Sequence, residues 1–117
     1  MSENRLQILD DLLNRRIPTA EAHAALKRFP WDEEELIDLR VEHVASVLTD
    51  IIDGKLSPDE GTAWADAIDS RDDIGRQPGH EDDLNDALFQ LSSPELLPGP
   101  LTAEAPRILK ALRGETQ

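Results

Sequence analysis

Seven apolar residues, Ile37, Val41, Val44, Val47, Leu48, Ile51 and Ile52, recur at helical spacing, while Asp38, Glu42, Ser46, Thr49 and Asp53 fall on the opposite side. A stripe of this width at a period of 3.6 buries one face of a helix, so the segment predicts an amphipathic helix at the centre of a helical core. Its start is placed near Asp32 to Glu35, whose carboxylates suit the positive end of a helix, and its end at Asp53 before Gly54. No run alternates at period two for long enough to predict a sheet.

The same reasoning places the other helices. Leu6, Leu9, Leu12 and Leu13 predict a first helix over about residues 3 to 15, and Thr19 is a candidate cap for a second that runs through Ala20, Ala24, Ala25 and Leu26 to Arg28. Phe29-Pro30-Trp31 interrupts the pattern, because proline disfavours helix in the residue before it and donates no hydrogen bond. Ser57-Pro58-Asp59-Glu60 is a strong helix start: Ser57 can accept from an orphan amide, Glu60 can reach back to the cap, and Pro58 suits the first helical position. The helix that follows puts Trp64, Ala67, Ile68 and the stem of Arg71 on its packing side, with Asp59, Asp66, Asp69 and Asp73 opposite. Trp64 is expected in the core, and Trp31, after a proline at a helix junction, either covers the end of the core or anchors a partner.

Arg71 to Gly79 reads as the one substantial polar loop. In the helix after it Leu84, Ala87, Leu88 and Leu91 share a stripe, Asp82, Asp83 and Asp86 lie away from it, and Phe89 falls beside Asp82 and Asp86. A last helix is expected from about Ala103 to Arg113, with Pro106 in its first turn and Gly114 after it. Leu12 to Ile17 with Glu21 and Ala24 aligns, at an offset of 39 residues, with Ile51 to Leu56, Glu60 and Ala63, which is what two αα-hairpins of similar construction would produce. Because the connections are mostly short, the expected fold is all-α: a single domain over residues 1–117, a bundle of five or six helices built from antiparallel helix pairs.

Charge is distributed unevenly. The chain has 117 residues and a formal net charge of −13, and the imbalance lies wholly between Asp32 and Asp86, where eighteen acids face four bases. A direct binder of nucleic acid needs the opposite sign. There is no cysteine, which excludes disulfides, thiolate catalysis and Cys-ligated zinc and agrees with a reducing compartment. No apolar run approaches the ~20 residues of a membrane span, and the first residues lack a signal-like pattern, so a soluble cytoplasmic protein is expected.

No residue pattern spells out catalysis. His23, His43 and His80 are scattered without a zinc-helix spacing, and His43, at the edge of an apolar stripe, reads as a packing residue. Laying a twelve-residue calcium loop over Ser70 to Glu81 puts Gly75 and Glu81 in register but Ile74 at a ligand position. Asp72 and Asp73 form a carboxylate pair without any sign of a cleft, and Ser92-Ser93 lacks the glycines of a nucleophile elbow. No catalytic residue, metal or cofactor is assigned, and the chain is not expected to be an enzyme.

The segment from Trp64-Ala65-Asp66 through Arg71-Asp72-Asp73-Ile74, then Leu88-Phe89-Gln90-Leu91, Pro94-Glu95-Leu96 and Gly99-Pro100-Leu101-Thr102, resembles a group of short, acidic, largely uncharacterised bacterial helical proteins, some of them immunity-protein-like. The resemblance covers about the second half of the chain and transfers no residue role. It implies a protein-binding function, with a basic partner such as a toxin domain, a nuclease toxin in particular. The residues expected to meet that partner are Asp66, Asp69, Asp72, Asp73, Glu81, Asp82, Asp86 and Phe89. The alternative is a structural or regulatory helical module, compatible with a homodimer, whose acidity serves solubility.

Overall fold

The computed structural model describes residues 5–27, 37–71 and 73–114, and Trp31, Asp72 and the expected helix start at Asp32 to Glu35 lie outside them. Among the described residues the chain is all-α apart from one pair of three-residue strands. In order it forms α1 (Arg5–Leu13), α2 (Thr19–Leu26), β1 (Ile37–Leu39), α3 (Val41–Ile52), α4 (Pro58–Asp69), β2 (Ile74–Arg76), α5 (Glu81–Ser92), a 3-10 turn (Pro94–Leu96) and α6 (Leu101–Leu112).

Each helix buries the stripe its periodicity marks. In α3 this is Val44, Ala45, Val47, Leu48 and Ile51, in α1 Ile8, Leu9, Leu12 and Leu13, and in α5 Leu84, Ala87, Leu88 and Leu91. These residues join one continuous cluster to which all six helices and both strands contribute. Trp64 is 1% exposed, and its indole N–H donates to the Leu12 carbonyl at 2.9 Å, tying α4 to α1. At Gly61 the packing of α4 on α3 is so close that an added Cβ would lie 2.7 Å from Cδ1 of Ile51. No described helix is long and apolar enough to cross a membrane.

The offset of 39 residues reappears in the backbone. After α1 the Arg15 and Arg16 amides donate to the Leu12 and Asp11 carbonyls at 3.1 and 2.9 Å; after α3 the Gly54 and Lys55 amides donate to Ile51 and Asp50 at 3.2 and 2.8 Å. Both are the paired bonds of a Schellman ending, and its left-handed residue is Arg15 (φ 55°) in one copy and Gly54 (φ 79°) in the other. A left-handed arginine costs about 1 kcal/mol relative to glycine. Here its guanidinium offsets that cost by bonding Asp50 and donating to Ser46 Oγ at 3.0 Å, so the turn of the first hairpin is fastened to α3 of the second. The two copies begin their second helices differently. Ser57 and Glu60 form the expected reciprocal box at α4, with bonds of 3.1 and 3.2 Å, whereas α2 is preceded by Pro18 and its Thr19 makes no side-chain cap.

Several expected elements need correction. Ile37 is not part of the central helix: Ile37, Asp38 and Leu39 are extended and pair in parallel with Ile74, Gly75 and Arg76, so α3 starts at Val41 and a small sheet exists where none was expected. Two segments of three residues are too short to display period two, and Ile37 lies one helical turn before Val41, so it matched the helical pattern by coincidence of spacing. The polar loop from Arg71 to Gly79 accordingly contains β2. In α6 the helix starts at Leu101, which leaves Pro106 inside the helix rather than in its first turn. The Thr102 carbonyl, four residues before Pro106, loses its helical donor to the proline and belongs to an exposed residue.

Val44 is fully buried. Val44→Asp is expected to cost more than about 4 kcal/mol by placing an unpaired charge in the core, seen as loss of cooperative melting of the helical circular dichroism signal.

Candidate functional site

The candidate surface is carried by α4, the turn into β2 and α5. The helical wheel of α5 leaves Asp82, Asp86 and Phe89 on one outward stripe, opposite its four buried residues, and all three are exposed. Phe89 is 55% exposed, a large apolar side chain left in water on the same stripe as two carboxylates, Asp86 one turn before it and Asp82 two turns before it. A further apolar residue that sequence reasoning did not single out, Leu96, is 65% exposed in the 3-10 turn. It sits close to Phe89 along the backbone, because Ser93 N–H donates to the Phe89 carbonyl and Leu96 N–H to the Ser93 carbonyl, both at 3.0 Å. Its exposure depends on the irregular turn after α5, for which no periodic signal exists.

The carboxylates divide by what the fold does with them. Glu81, Asp82 and Asp83 stand in the first turn of α5, where the helix dipole favours negative charge, and Glu81 also accepts the Gly79 amide at 3.0 Å. Asp69 is exposed and lies 3.7 Å from Arg76. Arg76 is held in place by Asn85 Oδ1 at 2.8 Å and by the carbonyls of Ile74 and Gly75. Asp86 is exposed at mid-helix and Asp66 in the last turn of α4, where the helix dipole disfavours negative charge, so neither owes its place to helix capping.

Asp73 does not belong to this surface. α4 ends at Asp69, so the helical wheel cannot be continued to residue 73, and the chain turns inward before β2. The Asp73 side chain is 0% exposed and accepts bonds from Arg71 Nε and NH2 at 2.9 and 2.8 Å, with Arg5 Nε 3.7 Å away. This carboxylate is an internal tie between the start of α1 and the chain leaving α4. Asp72 is outside the described residues.

A groove of about 500 Å³ lies elsewhere, between the α1–α2 turn and α4, with Ile17, Leu56 and Ala63 among its walls. Its charged groups are already engaged. Arg15 bonds Asp50, Arg16 bonds Asp10 and Asp11 at 2.6 and 2.8 Å, and Glu60 caps α4. Donation to the Asp10 and Asp11 carboxylates holds the Arg16 guanidinium above its ordinary range. Among the described residues no group of three or more histidines and carboxylates could hold a metal ion.

Comparison of the chain with protein-family models, with curated proteins and with solved structures finds no match. The assignment of this surface therefore rests on its chemistry.

Removing the buried carboxylate separates structural from surface acids. Asp73→Ala should destabilise the fold by about 3 to 5 kcal/mol, because it leaves the largely buried Arg71 and Arg5 charges facing each other without their shared counter-ion. Asp66→Ala should stay within about 0.5 kcal/mol of wild type, and comparing the two denaturant midpoints checks both values.

Proposed function

We propose that this protein is a stoichiometric binding module that engages a basic protein through the outward ridge of α5 and the adjoining acids of α4. The single observation that carries this reading is Phe89, exposed on the outward stripe of α5 one helical turn past Asp86 and two past Asp82. A surface tuned only for solubility gains nothing from an aromatic in its midst. An interface gains apolar burial from the ring, while the flanking carboxylates steer a basic partner and exclude others. A homodimer through this same ridge would bring the two sets of carboxylates together and is opposed by their repulsion.

In its most concrete form the module is a cytoplasmic immunity protein that covers the substrate site of a toxin. Nuclease toxins fit the chemistry, since a protein that binds phosphate presents lysine and arginine where these carboxylates would dock. A net charge of −13 favours fast encounter with such a partner. Direct binding of nucleic acid and association with a membrane surface are not part of the proposal.

The test is a titration with the product of the adjacent gene, following association and dissociation separately. Asp82→Lys combined with Asp86→Lys should slow association at least about tenfold at low salt, and the difference should fade toward 1 M salt, where the Debye length is ~3 Å. Phe89→Ala should speed dissociation and cost about 2 kcal/mol of binding, roughly thirtyfold in affinity, with little change in melting temperature. Equal rates for wild type and the double Lys variant would leave the ridge a solvated surface and favour a structural or regulatory module.

A further inference from the structure

The junction between β1 and α3 is closed by backbone and side-chain hydrogen bonds, one of them made by an unusual residue. Val41 N–H donates to Gln77 Oε1 at 2.9 Å, and the His43 and Val44 amides reach the Arg40 carbonyl at 3.0 and 3.5 Å. The amide of Arg40, the residue that precedes the helix, donates to Nδ1 of His43 at 2.9 Å. A side chain at the third helical position that reaches back to the cap amide is ordinarily glutamate or glutamine, the part Glu60 plays at α4. An imidazole can play it only through an unprotonated ring nitrogen, because the imidazolium has two donors and no acceptor.

We propose that His43 is an acid-sensitive latch: neutral, it holds the Arg40 amide and closes the β1–α3 junction, and protonated, it must release that amide. The junction reaches beyond the cap. Gln77, immediately after β2, accepts from Val41 through its side chain and donates its own amide to the Leu39 carbonyl at 2.8 Å, so the residues on both sides of Arg40 hold the end of β2. Loosening Arg40 therefore loosens the register of the two strands.

The surroundings favour a neutral ring. His43 is half-buried beside Leu13, Asn14 and Ser46. The charged groups that face it are Glu42 and Arg40 at its own helix end, Asp10 of α1 and Arg16 of the turn that follows. Burial acts most strongly and disfavours the imidazolium; Glu42 and Asp10 favour it, and Arg40 and Arg16 oppose it, leaving the group below its ordinary value of 6.5. Between that lowered value and 6.5 the unfolded chain binds more protons than the folded one. The contribution of the latch is thus complete above about pH 6.5 and is lost as pH falls through the folded value.

The experiment compares thermal unfolding from about pH 8 to pH 5 for wild type, His43→Gln and His80→Gln, with an NMR pH titration of the wild type. Glutamine at position 43 can accept the Arg40 amide at every pH, so His43→Gln should remove most of the wild-type fall of a few degrees over this range, and His80→Gln should retain it. The Arg40 amide resonance should titrate with the same midpoint as the His43 ring. An unchanged pH slope in His43→Gln overturns the proposal, as does an Arg40 amide that ignores the titration of His43. Should His43→Gln fail to fold, the wild-type titration decides alone.

Discussion

Two helical hairpins with the same turn do not by themselves make a protein, since each exposes an apolar face until something spans the gap. Trp64 does so. Its side chain lies in α4 of the second hairpin, and its indole N–H ends on a carbonyl of α1 in the first. Burying a ring system of this size stabilises the fold on the order of 4 kcal/mol, several times the net worth of the hydrogen bond, so burial supplies the energy and the N–H fixes the orientation. The Arg15 link to Asp50 and Ser46 repeats the connection at the surface. With α3 and α4 placed, α6 lies along α3 and α5 packs on both α4 and α6.

The helical frame was legible because its signals are local. The Ser57–Glu60 box, the glycine after α3 and the stripes of α3 and α5 involve residues within a turn or two of one another, where spacing alone decides the geometry. The parallel strands were not legible: each has three residues, and their partners come from opposite ends of the α3–α4 hairpin. Pro106 misled for a related reason. Proline reads as a start signal, yet Leu101 is buried and draws the first turn of α6 further toward the N-terminus.

The candidate surface divides along the same line. Asp82, Asp86 and Phe89 share the exposed stripe that their spacing predicts because one uninterrupted helix carries them. Asp73 leaves the helical wheel because α4 ends at Asp69, and its Arg71 and Arg5 partners depend on how the chain turns afterwards. The exposure of Leu96 and the clamp of Arg76 on Asn85 also belong to irregular segments. The bond from Arg40 to His43 is local but hidden, because histidine at the third helical position is not among the residues that mark a cap.

The parallel pairing of Ile37–Leu39 with Ile74–Arg76 also sets an order of events. The strands cannot meet until the whole α3–α4 hairpin between them has folded back, so they repay the entropy of loop closure only after the helices have formed. They are expected among the last structure gained and the first released. In native-state hydrogen exchange the sheet amides should therefore open at a lower free energy than those in the middle of α3, which makes this short sheet the place where the molecule begins to come apart.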